Sequence, residues 1–490
     1  MSAPRRSGPT EYRDGRVSLQ VLSHSKTSTS RDCPAKFGYR YVDGLRPKTE
    51  KDPTRIRGRG MHAGLEAGFV SWIWCRMLGL ALGLEPGDAV VAIVDAARIG
   101  VRRAHRAALA ELEAARQSGA AIEVIDDVRE RLEEAYEADA WAVGHFFEVV
   151  GARDYERKIP VLVEHAFDVP IVDVSGRRGH LRWIGYFDCV MYDARTRTLE
   201  LWEQKTVGTN AGSDEHRRRI EGDPQTTSYI YALRRELAAG GLDAAIAAVS
   251  GFVDLSATPD VQRIRAIPVG TVVVNVIRRK KPSEPKTLAD GTISTDRRID
   301  TLPELYAAAL EGQREPHGLT KAEGDCQEAQ AAFSAEQDPK AAEKLGKKLE
   351  RAKQAVQKKR AAFQATRAKQ ADLLERLRQR GDTFLAEVEQ FVTDHECERW
   401  RSEMWVEAER MRRIEKRPAE RTRNLGYCTA PGRGCTYRTL CYSGGDESVR
   451  MQEFTTPAER EAHELEREED RAAEREEQAG PEPYSAPAWG

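Results

Sequence analysis

Two neighbouring segments that alternate apolar and polar residues, 181–193 and 197–207, constrain the fold of this chain more than any other feature. Alternation with a period of two predicts β-strands, and the residues between them have the composition of a turn, so the pair is predicted to form a hairpin. Glu203 and Lys205 then point to one face of the sheet. A register that brings Asp188 alongside places two carboxylates and one ammonium together, which is unstable in an apolar core but suits a divalent cation.

The hairpin alone is weak evidence, because a chain with 32% charged residues contains many Glu-x-Lys triplets on solvated faces. Three polar residues elsewhere strengthen the case. His62 lies between glycines at the start of an apolar helix, although a satisfied structural histidine is also common there. Gln225 and Tyr229 are four residues apart and share one helical face. Gln204 points to the opposite face of its strand, which leaves its backbone carbonyl free to contribute to a site.

Together these residues resemble the RecB-like branch of the PD-(D/E)xK nuclease superfamily, which includes the nuclease domains of AddB-type helicase-nucleases and the CRISPR-adaptation nucleases. Residues 23–45 resemble the opening segment of that family, with Cys33-Pro34 followed by aromatic and basic residues. The other matches, in chain order, are His62, Glu164, Asp188, Glu203, Lys205, Gln225 and Tyr229. The resemblance implies an α/β fold: a restriction-endonuclease-like core, in which helices flank a mixed central sheet, with large helical insertions.

The same resemblance implies a metal-dependent nuclease that hydrolyses single-stranded DNA or DNA ends in recombination, repair or phage DNA processing. It assigns Mg²⁺ or Mn²⁺ to His62, Asp188, Glu203 and Gln204. It assigns catalysis to Asp188, Glu203 and Lys205, with Gln225 and Tyr229 positioning the reacting groups. The alternative is a non-catalytic DNA-end-binding or scaffold subunit. Since the chain has no GxxxxGK[ST] phosphate loop, a helicase or recombinase partner is expected to be a separate chain.

Eight cysteines raise the question of a second metal. The first sixteen residues are polar and Arg-rich, without the apolar run of a secretory signal, so a disulfide framework is not expected. Cys428, Cys435 and Cys441 fall within fourteen residues of a Gly- and Pro-containing loop. In the iron-sulfur members of the family that the chain resembles, an N-terminal cysteine is the fourth ligand, and Cys33 occupies that place.

The resemblance therefore implies a [4Fe-4S] cluster on these four cysteines and a brown protein. Six residues separate Cys428 from Cys435, where the family more often has two. Zn²⁺ on the same ligands and three reduced structural cysteines are the alternatives. The remaining cysteines are predicted to be small apolar core residues: Cys75, Cys189, Cys326 and Cys397.

The formal charge of −2 means that DNA binding must rest on a local patch. The candidates are Arg278, Arg279, Lys280 and Lys281 at the end of a predicted strand, and the arginines 217–219. Either run is alternatively a solvated edge that guards a strand. The apolar segment 69–84 is interrupted by Arg76 and is too short to span a membrane, so it is predicted to be a buried helix. We expect a cytoplasmic protein of a bacterial cell or phage-infected host.

Shifts in composition divide the chain into six regions. The N-terminal residues are predicted to be disordered, and the C-terminal tail is predicted to be acidic and mobile. Between them, an apolar seam at Leu345, Leu349 and Val356 indicates a long helix, interpreted as a DNA- or partner-gripping arm or as an insertion packed on its own second helix, residues 383–400. The regions are 1–16 (disordered), 17–160 (entry segment and helices), 161–318 (nuclease core), 319–400 (helical or coiled-coil arm), 401–445 (cysteine segment closing on Cys33) and 446–490 (acidic tail).

Overall fold

A computed structural model describes residues 12–13, 16–17, 21–48, 53–117, 122–172, 178–249, 265, 267–380, 382–429 and 435–461. The chain divides into two compact units. The first comprises Met1–Lys205, Glu215–Asn275 and Glu387–Gly490, and the second comprises Thr206–Asp214 and Val276–Ala386. Near the N-terminus, strand β1 (Tyr12–Arg13) pairs with β2 (Arg16–Val17) in a short antiparallel ribbon, which differs from the disorder predicted for this region. Residues 1–11 lie outside the described part.

Helices dominate the N-terminal part of the first unit. They are α1 (His24–Asp32), α2 (Pro34–Phe37), which continues into the π-helical turn Gly38–Val42, α3 (Pro53–Leu82), α4 (Pro86–Gln117) and α5 (Ile122–Asp154). Gly64 and Gly68 let α3 approach its neighbours, because a Cβ on Gly64 would lie 2.4 Å from Val101 and one on Gly68 would lie 2.2 Å from the Phe147 ring. Within α3 the apolar segment buries Trp72 but exposes Trp74 and Leu78, so the predicted buried helix is buried on one face only. Among the described helices, none is long and apolar enough to cross a membrane.

The central sheet confirms the predicted α/β fold class. Its strands are β3 (Val21–Leu22), β5 (Lys158–Val172), β6 (Arg178–Asp193), β7 (Thr198–Val207), β8 (Val269–Arg278) and β9 (Leu385–Phe391). The strand order is β3-β6-β7-β8-β9, and β5 also pairs with β6. β6 is antiparallel to both β5 and β7 and parallel to β3, so the sheet is mixed.

The predicted hairpin of β6 and β7 is present, and its turn is held by a buried carboxylate. Asp193 accepts hydrogen bonds from the backbone N–H of Arg195 at 2.9 Å and from Arg157 Nε at 3.0 Å. Burial opposes the charge of Asp193, but Arg157 and the backbone N–H groups of the turn outweigh it and lower the pKa of Asp193 to about 2. This turn sets the register that pairs Cys189 with Trp202.

Three helices follow the hairpin: α6 (Asp214–Glu221), α7 (Pro224–Ala239) and α8 (Asp243–Val249). The sequence encodes both ends of α7. Asp223 caps its N-terminus by accepting a hydrogen bond from Gln225 N, and Pro224 occupies the first helical position. Gly240 ends the helix with a φ of 80°, in the left-handed region that glycine favours. The cap at Asp223 therefore fixes Gln225 in the first turn of α7.

The second unit contains a helical hairpin, and the prediction for its second helix was wrong. Its helices are α9 (Pro303–Glu311), α10 (His317–Ala335) and α11 (Pro339–Arg380). α11 packs on α10, where Arg360 pairs with Glu323 at 2.6 Å. Residues 383–400 are instead split between strand β9 and the start of α12 (Asp394–Lys416). The division follows from a capping box at Thr393 and Glu396, which starts a helix after the strand ends.

The C-terminal segment folds back on the N-terminal one in the first unit. After a 3₁₀ turn (Pro418–Glu420) come α13 (Leu425–Thr429), α14 (Arg438–Tyr442), α15 (Glu447–Glu453) and β10 (Phe454–Thr455). β10 pairs with β4 (Arg46–Pro47), and Phe454 is buried against Leu45 and Tyr437. Residues 446–461 thus form a helix and a short strand anchored by Phe454, in a region for which the sequence predicted a mobile tail. Residues 462–490 lie outside the described part.

Candidate active site and cysteine group

Asp188 lies where strand β6 loses a neighbour. β5 occupies one edge of β6 along most of its length, so β7 and β3 share the other edge. β7 pairs with β6 only as far as Cys189, and β3 joins at Arg182 and Trp183. At the next residue, Asp188, a side-chain hydrogen bond replaces the backbone pairing between β6 and β7. Asp188 Oδ2 accepts a hydrogen bond of 2.8 Å from the backbone N–H of Gln204. The carboxylate is thus fixed at the point where pairing with β7 ends.

His62, Glu164 and Asp188 bring three potential metal ligands together. The β5–β6 register on either side of Glu164 places this residue opposite Asp188. His62 on α3 has its Nδ1 3.7 Å from Glu164 Oε1 and 3.8 Å from Asp188 Oδ1. One ligand atom from each of the three lies within 4.8 Å of the other two. Two carboxylates and an imidazole at this spacing form a suitable ligand set for a divalent cation.

Glu164 also has an unusual backbone conformation. Its φ of 46° lies in the left-handed region, although it is not glycine and lies within a strand. Strain of this kind is typical of functional sites, where the surrounding structure holds a side chain in position. The conformation therefore supports a role for this carboxylate beyond its contribution to the strand.

Glu203, Lys205 and Gln225 form the second half of the site. Lys205 Nζ donates to Glu203 Oε1 at 3.0 Å and to Gln225 Oε1 at 2.5 Å, and Gln225 Nε2 donates to the same Glu203 oxygen at 2.5 Å. Glu203 is 4% exposed. Its second oxygen, Oε2, is buried without a hydrogen-bond partner among the described residues. A buried carboxylate oxygen without a donor is unfavourable unless another positive group binds it.

The electrostatics of the site indicate a deficit of positive charge. Burial, reinforced by the Asp188 carboxylate, raises the pKa of Glu203 to about 7. Burial also raises the pKa of Asp188, against the opposing effect of His62. For His62 burial acts in the opposite direction, but the hydrogen bond to Glu164 and the charge of Asp188 outweigh it and raise the pKa to about 9. In the absence of a cation, protons compensate for the clustered carboxylates.

Tyr229 and Gln204 contribute differently. The Tyr229 ring packs edge-on against Phe167 and Phe187, with centroids 5.4 Å and 6.1 Å away. Burial, together with the Glu203 and Asp188 carboxylates, raises the pKa of its hydroxyl well above the ordinary value, so the phenol stays neutral. The Gln204 side chain is buried, and it is the backbone N–H of this residue that reaches Asp188. A role for the Gln204 carbonyl as a metal ligand stays a prediction.

The four predicted cysteine ligands lie in one region of the first unit. Burial raises the pKa of the Cys435 and Cys441 thiols, with a further contribution from Cys33 and Cys428. Within the described residues no three of these sulfurs lie within 4.8 Å of one another. Hydrogen bonds tie the two chain segments together, from Asn424 Nδ2 to Asp32 O at 2.7 Å and from Tyr437 Oη to Leu45 O at 2.8 Å. The segment that carries Cys33 thus contacts the segment that carries the other three.

The predicted DNA-binding run in the second unit is partly neutralised within that unit. Arg278 and Lys280 each donate to Asp300 at 2.8 Å, and Lys281 is exposed. Arg279 donates its backbone N–H to Val207 O at 2.8 Å. In the first unit, the arginines 217–219 are exposed on α6. DNA binding by either run stays a prediction.

Sequence reasoning missed two residues near the site. His24 Nε2 lies 4.0 Å from Asp223 Oδ1. Burial lowers the pKa of His24, and the positive charge of Lys205 lowers it further, against the opposing effect of Asp223. Asp223 was detectable, because Asp-Pro before a helical run is a start signal. His24 was not, since nothing in its local pattern places α1 beside α7.

The protein is therefore an α/β protein that brings carboxylates and a lysine together on adjacent strands of a mixed sheet. A model of the PD-(D/E)XK nuclease superfamily matches residues 21–442, and the chain belongs to that superfamily. Membership implies a metal-dependent nuclease with DNA as its substrate, and such nucleases generally use Mg²⁺ or Mn²⁺. No curated protein matches the chain.

Proposed function

We propose that this protein is a RecB-like nuclease that hydrolyses phosphodiester bonds of single-stranded DNA or DNA ends, with Mg²⁺ or Mn²⁺ bound by His62, Glu164, Asp188 and Glu203. The observation that carries the proposal is the convergence of three ligand atoms within 4.8 Å of one another. Glu203 is not one of these three, but its buried Oε2 has no hydrogen-bond partner among the described residues, and a nearby cation would compensate for that. Glu164 joins the ligands predicted from the sequence.

The bound cation supplies charge neutralisation at the scissile phosphate and a water of lowered pKa. The protein's own groups orient the reactants. Lys205 is held between Glu203 and Gln225, so its ammonium is positioned to donate to the attacking water or to a phosphate oxygen. Gln225 fixes both the lysine and the carboxylate, and Tyr229 packs one turn further along α7 as a neutral positioning group.

We further propose a [4Fe-4S] cluster on Cys33, Cys428, Cys435 and Cys441. Zinc requires its four sulfurs roughly 3.8 Å apart, from tetrahedral geometry at about 2.3 Å. Four cysteines in one region can bind either centre, and the positive charges of Lys36 and Arg423 favour the thiolate form that both centres require. Such a centre links the two ends of the first unit. Iron and acid-labile sulfide at a ratio near one, in a brown protein, would support it, and stoichiometric zinc in a colourless protein would reject it.

The decisive test of activity uses end-labelled single-stranded, duplex and circular DNA, incubated with Mn²⁺ or with EDTA. We expect cleavage of the linear substrates with Mn²⁺ and none with EDTA. Loss of the circular substrate at a comparable rate would indicate endonuclease action and contradict the preference for ends. A wild-type protein that binds DNA but cleaves none of these would support the non-catalytic end-binding or scaffold role instead. Supplying an ATP-driven helicase in the same assay tests whether duplex ends require a separate motor.

A further inference from the structure

A cavity beside the cysteine segment is lined by four arginines. Its volume is about 480 Å³, and its lining includes Arg40, Arg46, Arg55, Arg59, Thr436 and Tyr437. Of the described residues that line it, none is acidic. Arg40 lies over the ring of Tyr41 at 5.3 Å, and its Nε is buried without a hydrogen-bond partner in the described structure. Arg46 donates to the backbone carbonyl of Arg40 at 2.6 Å, and Arg55 and Arg59 are exposed. Four guanidinium groups around a cavity whose described lining contains no carboxylate create a positive potential that favours an anion.

The cavity lies on the same helical face as the candidate active site. Arg55, Arg59 and His62 are spaced i, i+4 and i+7 on α3, so they share one stripe of that helix. Seven residues of helix rise about 10 Å, roughly three nucleotides at about 3.4 Å per nucleotide of a stacked strand. A DNA strand with its scissile phosphate near His62 therefore has a neighbouring phosphate within reach of the arginines.

We propose that this arginine cavity binds a phosphate group of the DNA strand, either a terminal monoester or a backbone diester a few nucleotides from the cleaved bond. The inference rests on the proposed nuclease function for its substrate. Guanidinium groups bind phosphate oxygens in pairs, which gives geometric as well as electrostatic selectivity. The cavity then fixes the distance from the bound phosphate to the cleaved bond.

Binding is measured in EDTA, where no cleavage occurs, by fluorescence anisotropy. Labelled 20-nucleotide strands carry a 5′-phosphate, a 3′-phosphate or neither. Arg40→Gln and Arg59→Gln are compared with Arg103→Gln, which removes an exposed arginine on α4 outside the cavity. Each cavity variant should weaken binding about fivefold to tenfold and lower the slope of log K against log salt by about 0.7, whereas the control should match wild type.

The outcomes separate the two sources of phosphate and the two proposals. Loss of a preference for one phosphorylated end identifies a terminal phosphate, and an equal loss for all three strands identifies a backbone phosphate. Cavity variants that bind all strands like Arg103→Gln would overturn the cavity proposal while leaving the nuclease proposal intact. Wild-type protein that binds but never cleaves would overturn the nuclease proposal, and the binding comparison would still test the cavity.

A second, independent observation lies on α11 in the second unit. Its fourteen Lys and Arg against four Asp and Glu give a net charge of +10. Eight of these cations fall on one stripe about 60° wide, calculated at 3.6 residues per turn. They are Lys340, Lys344, Lys347, Arg351, Lys358, Lys369, Arg376 and Arg380, all of them exposed. Lys344, Arg351 and Lys358 have no acidic partner among the described residues.

We infer that this stripe binds the phosphate backbone of duplex DNA. It spans roughly 60 Å along a single helix, the length of about 18 base pairs. The apolar seam that includes Leu349 packs on α10, where Lys359 Nζ donates to Gly318 O at 2.7 Å, so the stripe is not the packed face of the hairpin. Exposed cations along one helix can bind backbone phosphates, and because they make no base contacts the binding should not depend on the DNA sequence.

Charge reversal in matched sets tests the stripe. The triple variant Lys344→Glu, Arg351→Glu, Lys358→Glu is compared with Lys348→Glu, Lys353→Glu, Arg378→Glu, which makes the same change in net charge on exposed positions off the stripe. With circular dichroism confirming the helix, the stripe variant should bind a 40-base-pair duplex at least tenfold more weakly than the control variant. Equal weakening by both sets, or none by either, would overturn the inference.

Discussion

The first unit contains two groups of potential metal ligands that are built in opposite ways. His62, Glu164, Asp188 and Glu203 come from α3 and three strands, and the register of one sheet sets their carboxylates side by side. The cysteines come from positions 33 and 428–441, nearly 400 residues apart in the chain. The two segments that carry them are joined by the hydrogen bond from Asn424 to Asp32, residues separated by 392 positions. One group is positioned by a sheet, and the other depends on contacts between two ends of the chain.

This difference predicts different roles for the two proposed metals. A site fixed by sheet register keeps its geometry without a cation, although burial then raises the pKa values of Asp188 and Glu203. A site assembled from distant segments gains much of its order from the metal itself, because binding closes a long loop. We therefore expect loss of the first metal to remove activity without unfolding, and loss of the second to loosen the fold.

The largest expected effect follows Asp188→Asn. Because this change removes a ligand charge and keeps the side-chain shape, we expect Mn²⁺-dependent cleavage to fall on the order of a thousandfold while the melting temperature and the brown colour persist. Asp168→Asn on β5 is the matched control and should cleave like wild type. Full activity in Asp188→Asn would remove the proposed site.

Lys205→Ala should lower kcat by about a hundredfold, because it removes a donor to the water or phosphate without removing a ligand. Isothermal titration with Mn²⁺ should give an affinity within a few-fold of wild type. A kcat unchanged by Lys205→Ala, measured with saturating DNA and Mn²⁺, would exclude the lysine from the mechanism.

Gln225→Ala should lower kcat less, roughly tenfold, since Gln225 acts by positioning Lys205 and Glu203.

Cys435→Ser tests whether the cysteine group binds a metal that helps to hold the two chain ends together. We expect loss of the visible absorbance and bound iron, and a melting temperature several degrees lower, because the closure between chain ends is lost. Mn²⁺ binding should remain. Cys326→Ser, on the half-buried surface of α10, should change neither colour nor melting temperature. If Cys435→Ser instead kept its iron, a different ligand set would be required.

A smaller effect is expected from the turn that sets the hairpin register. The pKa of Asp193 is lowered to about 2 in the folded protein, so its charged form stabilises the fold above an ordinary pKa of about 3.9, and that stability is lost as the pH falls towards 2. Asp193→Asn should lower the unfolding free energy at neutral pH by about 2 kcal/mol. Urea unfolding across pH 3–7 checks this, and an identical pH dependence in wild type and variant would contradict it.

Local pattern predicted the hairpin and α7 with Gln225 and Tyr229 on one face, whereas His62 and Glu164 were assigned through the family resemblance. It did not predict β9 in place of a helix, because residues 385–391 carry polar side chains on a strand whose membership in the sheet depends on distant partners. The packing of α11 on α10 was missed for the same reason. Glu164 was recognised by resemblance, but its strained φ and its place opposite Asp188 follow from a register that only the folded sheet defines.

In the proposed active site four side chains hold one cation beside Lys205. Crystals soaked in Mn²⁺ and measured at the manganese absorption edge test it directly. We expect an anomalous peak roughly 2.1 Å from oxygens of Glu164, Asp188 and Glu203 and next to His62. A fully occupied manganese elsewhere, with these carboxylates empty and protonated, would contradict it.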